Sequence, residues 1–416
     1  MNSAARPADP AAVHDAQTKR TIGFLNWAHA LDHFVMLIFP TVVIGSAGLE
    51  GVYGRSYAEL IALGTASFVA FGVFSLPAGW LADRWSRRNM MVAFYLGCGL
   101  SLLGAGLAPN LYVLAAALFA LGMFAAIYHP VGMAMLIEAS NARGRVLAFN
   151  GVCGNMGAAL AAGVTAVFAS WLGWRYAFLI PGLICIATGV VYLARSSDDR
   201  HHAAKRVAKP AVSLPLKAMI TMFFCFFVVA VTAGLAFNVI SVALPKIVDE
   251  RMGEGVPLLL VGGLATAVFL CGAIAQLTVG RLTDRFSPHT LFAIIVVLEF
   301  VGILWATYAT GIMLLFALAL AMGAIYAQVT VNDMVVARYT ADAWRGRVYA
   351  VRYFLIFITS GVGVAIIAFL HRRGGFDLVL GCMAGVAFLL MLGVFGIVAI
   401  INRHEGKEAA VVQPAE

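Results

Sequence analysis

Charge is scarce in this chain. Of its 416 residues only 12% are charged, and Asp and Glu together number 20. A soluble domain carries about 25% charged residues, so a globular fold in water is excluded. Long polar segments are missing too, which leaves no room for an aqueous domain of any size. The six cysteines (Cys98, Cys153, Cys185, Cys225, Cys271 and Cys382) all fall within or beside apolar runs. That placement suits small packing residues rather than a disulfide or metal framework. Residues 1–17 lack an apolar core, so the start of the chain reads as a polar tail and not a cleavable signal. No nucleophile–base set and no phosphate-binding glycine loop appears. An enzyme is therefore not expected, and no cofactor is.

The formal net charge of +8 raises nucleic acid as a partner. A nucleic-acid face would gather its basic residues in one domain, whereas these sit in short loops between apolar runs. No nucleic-acid partner is expected.

Apolar side chains are abundant instead, at 62% of residues. A membrane-crossing helix needs about 20 consecutive apolar residues. Runs of that size fall near 21–45, 57–80, 89–108, 111–138, 146–170 and 174–195, then near 216–245, 256–280, 290–308, 311–337, 349–370 and 376–402. The predicted fold is an all-α membrane protein with twelve transmembrane helices in two six-helix bundles. The expected divisions are a tail at 1–20, a bundle at 21–195, a linker at 196–215, a second bundle at 216–402 and a tail at 403–416.

The chain writes one loop twice. Gly79-Trp80-Leu81-Ala82-Asp83-Arg84-Trp85-Ser86-Arg87-Arg88 follows the second span, and Gly280-Arg281-Leu282-Thr283-Asp284-Arg285-Phe286-Ser287 follows the eighth. Arg143-Gly144-Arg145-Val146 and Arg345-Gly346-Arg347-Val348 repeat at nearly the same offset. Two matched landmarks at one spacing mark a duplicated half. With the N-terminus in the cytoplasm, 22 of the 28 Lys and Arg residues fall on the cytoplasmic side and 6 outside. This positive-inside bias predicts cytoplasmic termini. The expected protein is a multi-pass one of the inner (plasma) membrane, in contact with lipid, and a monomer is expected although no residue pattern argues for it.

Twelve helices in two halves, with Gly79–Arg88 after the second span, resemble the major facilitator superfamily of secondary transporters. Within it, Ala28-His29-Ala30-Leu31-Asp32-His33-Phe34 and Tyr128-His129-Pro130-Val131-Gly132 look like the fosmidomycin-resistance-like, drug-efflux branch. The antiporters of that superfamily carry a Gly-Pro pair in the fifth helix, where this chain has Gly154-Asn155 and no proline. The resemblance implies alternating access and an inside gate built on the repeated loop.

The residues suggest the same gate independently. Gly79 and Gly280 permit a close helix approach or a sharp exit from the membrane. Asp83 and Asp284 can meet a helix N-terminus or an arginine. Asp83 is expected to latch onto the start of the eleventh helix (Arg347, Arg352), and Asp284 onto the start of the fifth (Arg145). Arg84, Arg87, Arg88 and Arg285 flank these carboxylates, and Glu138 and Asp333 are expected to join them.

The first span carries the sharper signal. Asn26, His29, Asp32 and His33 share one side of a helix. A carboxylate at the depth of Asp32 must face water or take up a proton, which is what a proton-coupled carrier needs, and the histidines could relay it. The His29-x-x-Asp32-His33 spacing also permits a metal, but no second cluster supports one and none is expected. Tyr128 and His129 precede a proline that breaks the fourth helix, where transport pathways gather. Asn238, Tyr326 and Gln328 are candidate cavity linings in the second half. No Lys or Arg lies at the midpoint of a span, which disfavours multiply charged anions.

The expected function is proton-coupled efflux of a small drug-like or amphiphilic compound by alternating access. The alternatives are a proton symporter for a small metabolite such as an organic acid, and a non-transporting membrane receptor.

Overall fold

The computed structural model describes residues 10–139, 143–196, 216–339 and 342–412, all as helices and short connections. The helices are α1 (Pro10–Val42), α2 (Leu49–Tyr53), α3 (Tyr57–Arg84), α4 (Arg87–Gly106), α5 (Leu111–Ala125), α6 (Met133–Ala139), α7 (Arg143–Leu172), α8 (Tyr176–Arg195), α9 (Leu216–Arg251), α10 (Leu258–Leu282), α11 (Pro288–Tyr308), α12 (Gly311–Tyr339) and α13 (Asp342–Val412). A wide π turn, Tyr128–Gly132, joins α5 to α6. Most of the expected linker, residues 197–215, lies outside the described residues, as do parts of both tails.

Among the described residues, eleven helical stretches are long and apolar enough to cross a membrane. The last, Phe354–Arg403, has 50 residues, about 75 Å at 1.5 Å per residue, against a hydrocarbon core of about 30 Å. It is interrupted at Gly374 (φ −159°) and Gly375 (φ 57°). The left-handed conformation of Gly375 is one that a residue with a Cβ resists. The sequence therefore divides this stretch near its middle.

Polar side chains fix several helix starts. Ser56 and Glu59 form a reciprocal capping box at α3, Ser86 caps α4 through Asn89, and Asn110 caps α5 through the amides of Tyr112 and Val113. In lipid every other backbone group must bond within its own helix, so the apolar runs have no competing fold.

The first half packs α1 on α7, α4 on α8, and α3 and α4 on α5; the second packs α13 on α9 and α11, and α12 on α10 and α11. Packing in lipid depends on close approach, and small residues supply it. A Cβ on Gly157 would stand 1.9 Å from the Ala30 carbonyl oxygen, and one on Gly122 would stand 1.9 Å from that of Ser67. The halves meet along two crossings, α3 with α13 and α7 with α10. Gly361 accepts Val69 at the first, and Gly262 accepts Ala162 and Ala166 at the second. The second crossing adds a bond from the Gly163 amide to Thr266 Oγ1 at 3.0 Å and one from Asn155 Nδ2 to Gln276. Asn155, which stands where the antiporter pattern places proline, thus joins the two halves.

Candidate functional site

The expected stripe on α1 is buried inside the first half. Asp32 is 1% exposed, and Asn26 and His29 are nearly as enclosed. The π turn brings Tyr128 and His129 to the stripe from the far side of the break. Pro130 has no amide hydrogen, so a regular α turn cannot close there, and the wider turn accommodates the loss. The His29 ring stacks on Tyr128 at 4.8 Å and meets His129 edge-on at 5.3 Å. His129 Nε2 stands 3.4 Å from Asp32 Oδ2, and His33 Nε2 stands 3.2 Å from His29 Nε2. Among the described residues, Asp32 Oδ1 has no hydrogen-bond partner.

Asn150 on α7 organises this cluster, and the sequence reading missed it. It is fully buried. Its Oδ1 accepts from Tyr128 Oη at 3.0 Å and its Nδ2 donates to Asn26 Oδ1 at 3.0 Å. His29 Nδ1 lies 2.8 Å from the Asn150 carbonyl oxygen and 2.9 Å from Oδ1. Both are acceptors, so Nδ1 carries the proton and the Nε2 lone pair faces the other histidines. Gly154 makes this possible, because a Cβ there would lie 2.5 Å from His29 Nε2. A signal was available: Asn150 follows Arg145-Val146 as Arg352 follows Arg347-Val348, at the same offset. The depth of that position was not legible, because helix ends cannot be fixed from an apolar run.

In the second half Tyr326 and Gln328 are buried, and Tyr326 stacks on Phe237 at 5.8 Å. Asn238 donates to the Gly234 carbonyl oxygen at 2.8 Å. Among the described residues, no hydrogen bond or ring contact joins these three to the α1 cluster. Glu299 on α11, which the sequence reading passed over, is fully buried, and among the described residues neither carboxylate oxygen has a hydrogen-bond partner.

One end of the molecule carries the repeated loops. Arg87 bridges Asp83 at 3.2 Å and Glu138 at 2.5 Å, so these three meet within the first half. Arg84 lies over the Trp80 ring, and Arg88 donates to Ser196 and to the Leu193 carbonyl at the end of α8. Arg352, expected opposite Asp83, pairs with Asp333 within the second half. Asp284 and Arg285 line a surface hollow with Thr278, Arg281 and Leu282. The side chains of Arg145 and Arg347 lie outside the described residues, so the two expected latches across the halves have no described partner there. Gly79 would bring a Cβ to 3.3 Å from Pro130, a close approach, while Gly280 has open space around it.

The opposite end holds an ionic cluster that the sequence reading did not propose. Lys246, its side chain 8% exposed, bonds Glu50 at 2.7 Å and Asp249 at 2.8 Å and stands 3.8 Å from Glu250. Tyr57 lies beneath the ammonium at 5.5 Å, and His371 pairs with Glu250 at 2.9 Å and meets the Tyr57 ring edge-on. The Gly45 amide donates to Glu50 Oε2 at 2.8 Å and fixes it. Glu50 and Tyr57 belong to the first half, and the other four to the second. This cluster ties the halves together.

The Major Facilitator Superfamily model matches residues 23–263 and again 226–414. The chain belongs to the major facilitator superfamily. Its two overlapping matches repeat the duplication seen in the loops. Superfamily membership puts the chain among membrane-embedded, multi-pass transporters and outside the enzymes. It is similar to the puromycin resistance protein pur8 of Streptomyces alboniger, 29% identical over 167 residues, 39% of this chain and 33% of that one. A "Probable 4-methylmuconolactone transporter" of Cupriavidus pinatubonensis is 28% identical over 251 residues, 56% of each chain. The sialic acid transporter NanX of Escherichia coli is 28% identical over 170 residues, 39% of this chain and 40% of that one. The matches thus span between a third and just over half of these relatives' lengths. A solved bacterial homologue of the human lysosomal transporter Spinster superposes with a TM-score of 0.67 at 13% identity, covering 95% of this chain and 96% of that one. That likeness shows the fold.

Proposed function

We propose that this chain is a proton-coupled secondary transporter that moves a small drug-like or amphiphilic compound out across the inner membrane. The observation that carries the reading is the buried Asp32, set against His129 at 3.4 Å deep in the first half. An ionised carboxylate at that depth is costly in lipid and marks a coupling path by default. Proton gain and loss at Asp32 then changes the local charge by one unit. Asn26, His29, His33, Tyr128 and His129 supply the polar surroundings that tolerate it, and Asn238, Tyr326 and Gln328 line the facing half.

In this reading the break at Gly374-Gly375 makes twelve spans of the eleven stretches, and the charge bias puts both termini in the cytoplasm. The Glu50–Lys246 end is then outer, and the ionic cluster closes it while substrate enters from the cytoplasm. Rocking of the halves breaks that cluster and closes the inner end, where Asp83 and Asp284 latch onto α13 and α7. The chain works as a monomer. The likeness to a puromycin resistance protein favours export.

A second reading, proton symport of an organic acid, draws on Arg352. It is 6% exposed and paired with Asp333, a buried cation that the span midpoints alone did not show. The likeness to transporters named for 4-methylmuconolactone and sialic acid points the same way.

Everted vesicles with an acid lumen and a pH-sensitive dye separate the two. Proton efflux triggered by lipophilic drugs and abolished in Asp32→Asn supports export. Organic acids leaving the lumen together with protons support symport. A variant that behaves like its parent in both arms overturns the role of Asp32.

A further inference from the structure

Spacing along α1 alone gave a weak case for a metal, because it offered two histidines and one carboxylate with no second cluster. The fold supplies the missing ligand. His129 arrives from the π turn, and one ring nitrogen from each of His29, His33 and His129 lies within 4.8 Å of the others. Two of the closest approaches are informative. Tetrahedral bonds of about 2.0–2.1 Å to zinc place neighbouring ligand atoms about 3.3–3.4 Å apart. His29 and His33 present their Nε2 atoms 3.2 Å apart, and His129 Nε2 is 3.4 Å from Asp32 Oδ2. Two edges of a tetrahedron are thus nearly formed, one between His29 and His33 and one between His129 and Asp32.

Two further observations point to a ligand. Metal-bound histidines usually donate their second ring nitrogen to a carbonyl or carboxylate, which holds the free lone pair on the ion. His29 does this through Nδ1 and the Asn150 carbonyl oxygen at 2.8 Å. Asp32, 1% exposed, keeps Oδ1 without a hydrogen-bond partner although the ring of His129 is beside it. Three imidazoles and one carboxylate suit a borderline first-row ion, whereas magnesium and calcium prefer oxygen alone.

We propose that His29, His33, His129 and Asp32 form a tetrahedral site for one divalent transition-metal ion of the zinc, cobalt and nickel class. His129, with its side chain 18% exposed, is the side from which the ion enters. Coordination ties α1 to the π turn and replaces the hydrogen bond between His33 Nε2 and His29 Nε2 with two bonds to the ion. The site goes beyond the transport reading and does not rest on it.

The test uses the purified full-length chain, free of any polyhistidine tag, in detergent micelles. Cobalt(II) is titrated with absorption spectroscopy, and zinc is measured by equilibrium dialysis. The expected result is one ion per chain with the intense visible bands of tetrahedral cobalt. Affinity should fall at least about tenfold in His33→Ala and in His129→Ala. His129→Cys should keep the ion and add a thiolate-to-cobalt charge-transfer band, which also shows that a variant at this position folds. Pale octahedral spectra, no stoichiometric binding, or tetrahedral bands that survive His33→Ala/His129→Ala and vanish in His201→Ala/His202→Ala would each overturn the site. A chain that binds no cobalt yet transports refutes the site alone. The ion and the coupling proton would compete for Asp32, so transport is assayed after the ion has been removed with a chelator; a chain that binds cobalt yet moves nothing once stripped refutes the transport reading alone.

Discussion

Replacing Lys246 by methionine keeps most of the side chain's volume and removes one charge from the cluster with Glu50 and Asp249. Its ammonium bonds Glu50 at 2.7 Å and Asp249 at 2.8 Å with only 8% of its side chain exposed, and its partners are 20% and 21% exposed. Removing one partner of a buried pair costs about 3–5 kcal/mol, because the other is left enclosed and unpaired. Partial exposure of the two carboxylates lowers this to about 2–4 kcal/mol. Asp249 shares α9 with Lys246, whereas Glu50 belongs to the opposite half, so in the proposed orientation the loss of the Glu50 pair falls on the outward-closed state. At about 1.4 kcal/mol per factor of ten, the closed-to-open ratio drops by at most about 30- to 700-fold. A reporter cysteine at Val364 reads this out. Val364 is 1% exposed and faces Gly64 across the α3–α13 crossing. In right-side-out vesicles, a membrane-impermeant maleimide should label V364C slowly in the parent and rapidly with Lys246→Met. Lys246→Arg should stay slow. Glu50→Gln added to Lys246→Met should recover part of the protection, because the unpaired carboxylate across the crossing is gone. Equal labelling in parent and Lys246→Met would show that the cluster does not hold the outer end shut.

Other perturbations probe the first half and the one unexplained carboxylate. Gly154→Ala places a methyl 2.5 Å from His29 Nε2, and should lower stability by about 1–3 kcal/mol and the thermal midpoint with it, whereas Gly151→Ala, with nothing within 4 Å, should leave the midpoint unchanged. Asn150→Ala strips acceptors from Tyr128 and His29, and should cost about 1–3 kcal/mol in a thermal unfolding assay while abolishing drug-driven proton efflux. Glu299→Leu replaces a fully buried carboxylate with no hydrogen bond and should raise the thermal midpoint, by about 1–3 kcal/mol of stability; a lower midpoint would mean that Glu299 has a partner the fold hides.

The fold was legible because the bilayer leaves few choices. Apolar runs of about 20 residues must be helices, and the two repeated loops marked the halves before any contact was known. The α1 stripe was legible for the same reason, since Asn26, His29, Asp32 and His33 lie on one side of a helix whatever surrounds it. Contacts between helices were harder to see. Asn150 lies 121 residues from His29 and meets it only because Gly154 and Gly157 draw α7 against α1. Lys246 had been counted as one more outer charge, since nothing local says that Glu50, 196 residues away, ends beside it. The inner latches were argued from symmetry between the halves, yet the contacts described for Asp83 and Arg352 stay within one half each.

That symmetry is broken where it matters most. Asn150 and Arg352 occupy equivalent places in the repeat, five residues after the second arginine and four after its valine in each half. One is a neutral amide at the centre of a histidine network; the other is a guanidinium held by Asp333. An arginine at position 150 would press a fixed positive charge against His29 and Tyr128 and remove the amide oxygen that orients both. An asparagine at position 352 would leave Asp333 without its counter-charge. The duplicated scaffold therefore hosts two different electrostatic sites at equivalent places in the repeat, a polar ring cluster around Asp32 and a fixed ion pair. In the proposed transport cycle, rocking two halves of that kind would carry a changeable charge past a fixed one, an asymmetry that two identical halves could not provide.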